Sequence, residues 1–369
     1  MKLINTISWL MGRVQRSLFP HLNQCLPTPL TEQEERLVAI LEIAQVERYV
    51  SRNISNFRYP GRNPLDRQAL ARAFVAKAYY RIATTSDLRR ALLSAVNLRR
   101  ICGFIAAQDV PSEATFSRAF NEFASGSLGN LVHDGLVEEY LSKELVGHIS
   151  RDSTAIVGRE KPAKKAVKEP RKRRKRGRPT KGERRETPVE KRLDRQVKQS
   201  AEVAISELPI VCDRGTKKNA KGYKMSWNGY KLHLDTNDIG LPISALITSA
   251  SLHDSQAAIP LIKQTSQKVD YLYDLMDAAY DAKRIEEVSR DYGHVPIIDK
   301  NGRGKEVLPM APHEAERYKI RSSAERANGR LKEDFGANNV MVKGHAKVSL
   351  HLMFGVITLF SDQLLRLIC

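Results

Sequence analysis

The second half of the chain alternates between strand and helix patterns in an order that strongly limits its fold. Residues 145–157 follow the period of two that is typical of a strand. Two further strands form a hairpin, after which helices and strands alternate to residue 334. This order predicts a mixed sheet with helices on its faces, in the α/β class. The predicted elements are strands 145–157, 225–235 and 241–249, helix 254–267, strand 269–276, helix 281–292, strand 294–298 and helix 313–334.

The last of these helices carries a row of functional side chains. Tyr318, Arg321, Glu325 and Lys332 lie at offsets of zero, three, seven and fourteen, which places them on one face of a helix. A carboxylate is a hard ligand for Mg²⁺, cations neutralise phosphates, and a tyrosine ring can lie against a sugar or base. The row suits a metal and a phosphate backbone, although the solvated face of an ordinary amphipathic helix has the same pattern. The opposite face carries the apolar residues Ile320, Ala324, Ala327 and Leu331.

Two aspartates lie on predicted strands or at their ends. Asp152 lies on the first strand, inside a segment with a buried pattern, so its charge must be paired or bound to a metal. Asp277 directly follows a later strand, and the carboxyl ends of neighbouring strands converge. Asp274 and Asp281 are alternatives to Asp277 on this pattern. Two aspartates and Glu325 in one dry site would repel one another unless cations lay between them, which predicts two bound Mg²⁺ or Mn²⁺ ions.

The charge of the chain indicates a nucleic-acid partner. It has 61 lysines and arginines against 42 aspartates and glutamates, a formal net charge of +19. Residues 159–199 contain 19 of the basic residues and six of the acidic ones, with several prolines, which predicts a disordered basic arm. The sequence Arg176-Gly-Arg178-Pro within it is similar to an AT-hook, whose arginines enter the minor groove of A·T-rich DNA. A solvated basic loop that contacts phosphates without reading sequence is the alternative.

The chain divides into a helical domain at 1–143 and a sheet-containing domain at 144–369, into which the arm is inserted. Apolar residues recur at helical spacing through most of 31–145. No apolar run is expected to reach the length of a bilayer span, because the best candidate, 350–360, is followed by Ser361-Asp362-Gln363. The N-terminus makes a poor secretory signal, and four scattered cysteines indicate reduced thiols in the cytoplasm.

The final helix also resembles a known signature. Its pattern Tyr-x2-Arg-x3-Glu-x6-Lys is similar to that of the YREK group of DDE transposases from bacterial insertion sequences. The runs Asp152-Ser-Thr and Asp277-Ala-Ala-Tyr resemble this family's first and second acidic motifs, which favours Asp277 as the second carboxylate. The resemblance implies an RNase H-like catalytic domain in which Asp152, Asp277 and Glu325 are catalytic and hold the metal ions. His253-Asp254 is similar to a pair found in the family, but we interpret Asp254 as a helix N-cap.

The resemblance implies a DNA transposase, which is both a metal-dependent endonuclease and a strand transferase. It would cut at the ends of an insertion sequence and join the freed 3′-hydroxyls to target DNA. Tyr318, Arg321 and Lys332 would contact DNA beside the cut. Arg176 and Arg178 would add contacts from the arm.

The same resemblance implies DNA partners and an assembly. The N-terminal helical region resembles the part of such enzymes that holds the terminal inverted repeats, although a bundle that only supports the catalytic domain is the alternative. Because both ends must be held in one complex, we expect a homodimer on DNA, associated with the nucleoid and not with a membrane. Two other functions stay open: a catalytically inactive, transposase-derived DNA-binding protein, and a basic nucleoid or RNA-binding protein whose function lies in the arm.

Overall fold

Six strands of the described chain form one mixed sheet. The computed structural model describes residues 28–50, 66–163, 190–218, 222–302 and 309–368. The strands are β1 Val146–Val157, β2 Asp213–Lys218, β3 Lys224–Thr236, β4 Pro242–Ser249, β5 Tyr271–Met276 and β6 Val295–Ile298. Strand β1 pairs antiparallel with β3 and parallel with β5, and β6 extends the parallel side. Strands β2 and β4 pair antiparallel with β3. The predicted α/β class and mixed sheet are therefore confirmed.

Helices precede the sheet and cover it. Those of the N-terminal region are α1 Glu32–Ala44, α2 Arg67–Tyr79, α3 Thr85–Ser94, α4 Val96–Cys102, α5 Glu113–Ser125 and α6 Leu128–Leu141. Those that follow are α7 Arg192–Lys198, α8 Ala201–Ser206, α9 Ser255–Lys268, α10 Lys283–Asp291, α11 Pro312–Tyr318, α12 Ser322–Glu333 and α13 His345–Ile368. Strand β2 and helix α8 were not predicted, because neither segment has a clear apolar period.

One hydrophobic core joins the N-terminal helices to the sheet. Phe74 of α2 and Phe116 of α5 pack in the same cluster as Ile149 of β1 and Phe354 of α13. The rings of Phe74 and Phe354 stack with their centroids 5.7 Å apart. This shared burial fixes the helical region against the sheet, since each buried large apolar side chain contributes about 1.5–3 kcal/mol.

Helix α13 runs through this core. The segment His345–Leu367 is long and apolar enough to cross a membrane, but 78% of its most apolar window is buried inside the protein. Packing therefore accounts for its apolar character. The expectation that no apolar run reaches the length of a bilayer span is therefore wrong by length and composition, because the helix continues past Ser361 to Ile368.

A buried ion cluster explains why polar residues lie inside this helix. Asp362 is 2% exposed. Its carboxylate accepts from Arg36 Nε at 2.5 Å, from Arg366 Nε at 3.1 Å and from Arg330 of α12. Charge pairing of this kind offsets the cost of burying a carboxylate. It also ties α1 and α12 to α13.

The basic arm was predicted to extend to residue 199, which is too far toward the C-terminus. Residues 192–198 form α7, which packs on α9 and α10. Lys263 of α9 donates to the carbonyls of Gln196 at 2.8 Å and Val197 at 3.0 Å, at the end of α7. These contacts satisfy carbonyl groups that a helix C-terminus leaves unpaired. Residues 164–189, with Arg176 and Arg178, lie outside the described part of the chain.

The predicted signature helix is divided in two. Helices α11 and α12 are joined by a 3₁₀ turn at Lys319–Arg321, so the prediction of one continuous helix is wrong. Ser150 Oγ of β1 donates to the carbonyl of Ile320 at 3.4 Å, so this carbonyl has a hydrogen-bond partner outside the helix. Beyond the turn the predicted packing face is confirmed for three of its four residues. Those buried against the sheet and α13 are Ala324, Ala327 and Leu331, while Ile320 is half-buried.

Acidification is expected to destabilise the protein through two buried histidines. His133 and His233 are almost completely buried, and burial lowers the pKa of each to about 4. The unfolded chain has histidine pKa values of about 6.5, so between these values it binds more protons than the folded chain. The free energy of unfolding should therefore fall as the pH is lowered through this window, by up to about 1.4 kcal/mol per pH unit for each histidine.

Urea unfolding at several pH values measures this effect. Replacing His233 by Gln should make the dependence on pH shallower. Equal pH dependence of the native protein and His233→Gln between neutral pH and about pH 4.5 would show that burial does not lower the pKa of His233 in the folded chain.

Candidate active site

Strands β1 and β5 bring two aspartates side by side. The strands run parallel, with Arg151 opposite Met276, so the next residues along the two strands, Asp152 and Asp277, are neighbours. Asp277 directly follows β5 and caps a 3₁₀ turn, because its Oδ1 accepts from the backbone N–H of Ala279 at 2.9 Å. The side chain of Asp152 is held on the sheet, and that of Asp277 is held at the end of a strand.

Helix α12 adds Glu325 and an asparagine. Packing of the helix on β1 and β3 turns its polar face toward Asp152. Asn328 Nδ2 donates to Asp152 Oδ2 at 3.0 Å, and Asn328 is almost fully buried. We did not predict Asn328 from the sequence. Its position three residues after Glu325, on the same helix face, was the available signal.

One guanidinium group lies among the three carboxylates. Arg321 Nη1 donates to Glu325 Oε1 at 2.6 Å. Its Nη2 donates to Asp152 Oδ1 at 3.3 Å and lies 3.6 Å from Asp277 Oδ2. The structure thus brings together Asp152, Asp277, Glu325 and Arg321, all singled out in the sequence. The three carboxylates converge on a single centre of positive charge.

The carboxylates are in a setting that favours additional cations. Burial and, to a smaller extent, the charge of Asp277 raise the pKa of Asp152 to about 6, although Arg321 opposes both. Burial also raises the pKa of Asp277. Within the described ranges, no three carboxylate, histidine or cysteine side chains are grouped closely enough to hold a metal ion as they stand. The donor set nevertheless fits Mg²⁺ or Mn²⁺, because its hard oxygens face a common point where Arg321 now supplies the positive charge.

Two further residues of the signature flank this centre. The ring of Tyr318 lies 6.0 Å from the guanidinium carbon of Arg321, and burial raises the pKa of its hydroxyl to about 12. Burial and the charge of Lys217 lower the pKa of Lys332, and the charge of Asp152 opposes them. Lys332 therefore lies within electrostatic reach of both Lys217 and the carboxylates.

The structure separates Asp277 from its two alternatives. Asp274 is fully buried and lies 3.4 Å from Arg151 Nη1, where its Oδ2 accepts from Ser289 Oγ at 2.7 Å. Asp281 accepts from the backbone N–H of Asn301 at 3.1 Å and lies 3.5 Å from Lys300 Nζ. Only Asp277 of these three contacts the Arg321 centre among the described contacts.

The side chain of Asp254 does not act as predicted. The residue occupies the N-cap position of α9, but its side chain makes no capping hydrogen bond. It accepts from Lys231 Nζ at 2.8 Å instead, which stabilises the carboxylate and keeps its pKa below the usual value despite burial. Asp254 therefore has the predicted N-cap position, but the predicted capping hydrogen bond of its side chain is wrong.

A buried ion network lies directly behind the site. Arg151, the neighbour of Asp152, is completely buried and donates to Asp235 through Nε at 2.8 Å and Nη2 at 2.7 Å. Asp235 also accepts from Thr265 Oγ1 at 2.6 Å. The pairing of Arg151 with Asp235 and Asp274 raises its pKa above the usual value, against the effect of burial. This network links β1, β3, β5 and α9 beneath the carboxylates.

Two families of known proteins match this chain. Residues 147–360 match the family described as Transposase DDE domain, and residues 28–122 match one described as Transposase domain (DUF772). The first match covers more than half of the chain, so the protein belongs to the transposase DDE domain family. No curated protein and no solved structure matches the chain.

Membership of this family defines the general function. The two matched domains establish a DDE transposase of the insertion-sequence type, whose function is DNA transposition and whose partner is DNA. The predicted RNase H-like fold is confirmed, because the DDE domain has that fold and its mixed sheet with flanking helices is present. The YREK subgroup stays a prediction.

Proposed function

We propose that the protein cuts DNA at the ends of an insertion sequence and joins the resulting 3′-hydroxyls to target DNA. The observation that carries this proposal is the convergence of Asp152, Asp277 and Glu325 on one guanidinium, at 2.6–3.6 Å. Carboxylates from two parallel strands and a covering helix form a centre that can hold positive charge beside a phosphodiester. We propose that both reactions take place in the cytoplasm, on the DNA of the nucleoid.

The same three residues would hold two Mg²⁺ or Mn²⁺ ions. When bound, such ions activate water or a 3′-hydroxyl as nucleophile and stabilise the leaving oxygen during in-line attack on the phosphodiester. Asn328 holds Asp152 in its orientation by a hydrogen bond of 3.0 Å. The backbone N–H of Ala279 does the same for Asp277 at 2.9 Å. Glu325 is the most exposed of the three, so its carboxylate is the one that reaches toward bound DNA.

Contacts to DNA would come from the rest of the signature and from the basic arm. Tyr318 and Lys332 flank the carboxylates, and Arg321 can exchange its carboxylate partners for a phosphate because its fork of N–H groups fits both. Arg176 and Arg178 of the arm and the helical domain would supply further contacts to the terminal repeats. Neutralising many phosphates makes binding steeply dependent on salt.

An assay of joining tests the proposal. A labelled duplex carrying the element's own end is incubated with the protein, Mg²⁺ and a supercoiled target plasmid. We expect a cut end and a labelled, joined plasmid. Two ends joined to one target molecule would support a homodimer on DNA, whereas products with a single end would count against it. A duplex that is bound but never cut would instead favour a catalytically inactive DNA-binding protein.

Removing Arg321 is expected to change metal binding before DNA is present. Its guanidinium occupies the space that the three carboxylates share, so Arg321→Gln leaves their charge uncompensated. Because two cations, the guanidinium and Mn²⁺, compete for the same carboxylate oxygens, the variant should bind Mn²⁺ several-fold more tightly than the native protein. Electron paramagnetic resonance of free Mn²⁺ measures this without any turnover.

The matched control is Arg326→Gln. Arg326 lies on the same helix and donates to Ser322 Oγ at 3.1 Å, with no carboxylate of the site as a described partner. Equal Mn²⁺ affinity in the native protein and both variants would show that Arg321 does not compete with the metal.

A further inference from the structure

Strand β2 and the first part of β3 leave the sheet as a two-stranded ribbon. Pairing of β1 with β3 ends at Val157 opposite Gly229, and pairing of β4 with β3 ends at Tyr230 opposite Ser249. Apart from a hydrogen bond from the backbone N–H of Gly158 to the carbonyl of Asn228 at 2.9 Å, residues 224–228 of β3 pair with β2 alone. We call β2 and residues 223–228 the cationic ribbon. A two-stranded ribbon is marginally stable in water without added support.

Three features make this ribbon rigid and place it. The indole ring of Trp227 packs directly on Gly215, the residue opposite it in the ribbon. A methyl group at Gly215 would come within 2.4 Å of the ring, so only glycine fits there. The indole N–H of Trp227 donates to the carbonyl of Tyr230 at 3.0 Å, and Tyr230 is buried in the core. Gly229, with φ of +148°, forms the joint, since a side chain there would meet the carbonyl of Ile156 at 2.2 Å. The ribbon is thus anchored to the sheet at its base.

The ribbon is basic and carries exposed aromatic and apolar side chains. The ribbon contains four lysines and arginines and one aspartate. Arg214, Lys217 and Lys224 are exposed. Tyr223 is 69% exposed and Met225 is 52% exposed. Cations next to an accessible ring are the arrangement by which proteins bind unpaired DNA, because the cations neutralise phosphates and the ring stacks on a base.

The ribbon continues the strand pair that carries Asp152. Asp152 pairs with Leu234 of β3, and the ribbon begins five residues away along β3, at Gly229 opposite Val157. The charges of Lys217 and Asp152 both act on Lys332, in agreement with this placement. At the base of the ribbon, the backbone N–H of Ala163 donates to the carbonyl of Cys212 at 3.0 Å.

We propose that the cationic ribbon binds the DNA strand beside the cut, with Lys217 and Lys224 on its phosphates and Tyr223 against an unpaired base. This inference rests on the proposed function, because it takes the DNA at the carboxylate centre as its partner. The DNA is bound as a local single strand, since a stacked base must leave its duplex.

Binding measurements on the full-length protein test the inference without any cleavage. Fluorescence anisotropy compares a labelled duplex of the element's end with the same sequence carrying an unpaired fork, at several salt concentrations. Tyr223→Ala should weaken binding to the fork by about 5- to 100-fold and leave the paired duplex almost unchanged. The double variant Lys217→Ala with Lys224→Ala should weaken both and lower the salt slope by about 2.

Lys283→Ala with Tyr292→Ala is the matched control. Both residues are exposed on or directly after α10, outside the ribbon. Ribbon variants that bind like the native protein would overturn the inference, as would a control that weakens binding equally. Cleavage is scored on the same preparations. A native protein that binds but does not cut contradicts the proposed function alone, and the binding comparison still decides the role of the ribbon.

Discussion

Replacing Arg151 by alanine is expected to destabilise the protein by about 3–5 kcal/mol, the largest effect on stability that we predict. Arg151, Asp235 and Asp274 are all completely buried, and the guanidinium is shared between the two carboxylates. Without it, Asp235 and Asp274 would be left as unpaired charges in the core, or would have to bind protons at neutral pH. The cost arises from the charges that remain, more than from the pair that is lost.

Urea unfolding of native and variant protein measures this loss. Arg290→Ala is the control, because Arg290 forms an exposed pair with Glu286 on α10 and its removal should cost less than about 0.5 kcal/mol. A loss below about 1 kcal/mol for Arg151→Ala would show that water or protons compensate Asp235 and Asp274 in the folded protein. Because Asp152 follows Arg151 directly, a large loss would also show that this network supports the catalytic strand.

Asp277→Asn is expected to reduce DNA cleavage by several hundred-fold or more while the protein still binds DNA. The change keeps the shape of the side chain and its contact with the N–H of Ala279, but removes the charge that faces Arg321. Loss of about 3–4 kcal/mol of transition-state stabilisation, the scale expected for a metal ligand, corresponds to this factor.

Asp281→Asn provides the comparison. It alters a carboxylate four residues away whose described partners are Lys300 and Asn301. Its cleavage rate should stay within a few-fold of the native rate. Equal losses for both variants, or a greater loss for Asp281→Asn, would contradict the choice of Asp277. Single-turnover cleavage of the end duplex separates this effect from binding.

Local sequence patterns predicted the structure correctly where the spacing of apolar residues matches the side chains that the fold buries. The alternation in β1 predicted the strand, and the offsets along α12 predicted which residues pack and which face the sheet's carboxylates. Ala324, Ala327 and Leu331 are buried, and Arg321 and Glu325 contact each other one turn apart. Such patterns depend only on the geometry of one element.

Features that depend on distant partners could not be predicted in this way. Helix α7 has the composition of a disordered segment, and its carbonyls are paired by Lys263, which is more than 60 residues away. Helix α13 continues past Asp362 because arginines from α1 and α12 reach that carboxylate. In both cases the local sequence reads as polar, and the compensating charge comes from another part of the fold.

The same limit applied inside the site. The sequence indicated that the charge of Asp152 needs a partner, but it did not identify Asn328 as that partner. It also left Asp274 and Asp281 as alternatives to Asp277 until the family motif was considered. The physical distinction is that Asp274 faces the buried Arg151 and Asp277 faces Arg321. Strand β2 was missed because Asp213–Lys218 is mostly polar and contains a glycine, so it lacks a strand's apolar alternation.

The most direct test of the central claim is cleavage of a labelled duplex carrying the element's own end, in Mg²⁺ or Mn²⁺, by the native protein and by Glu325→Gln. The substitution keeps the shape of the side chain and removes its charge. Glu333→Gln, eight residues further along α12, controls for changing a charge on the same helix. We predict that the native protein and Glu333→Gln cut the duplex, and that Glu325→Gln binds it without cutting. Equal cutting by native protein and Glu325→Gln would contradict the assignment of Glu325 to the metal centre.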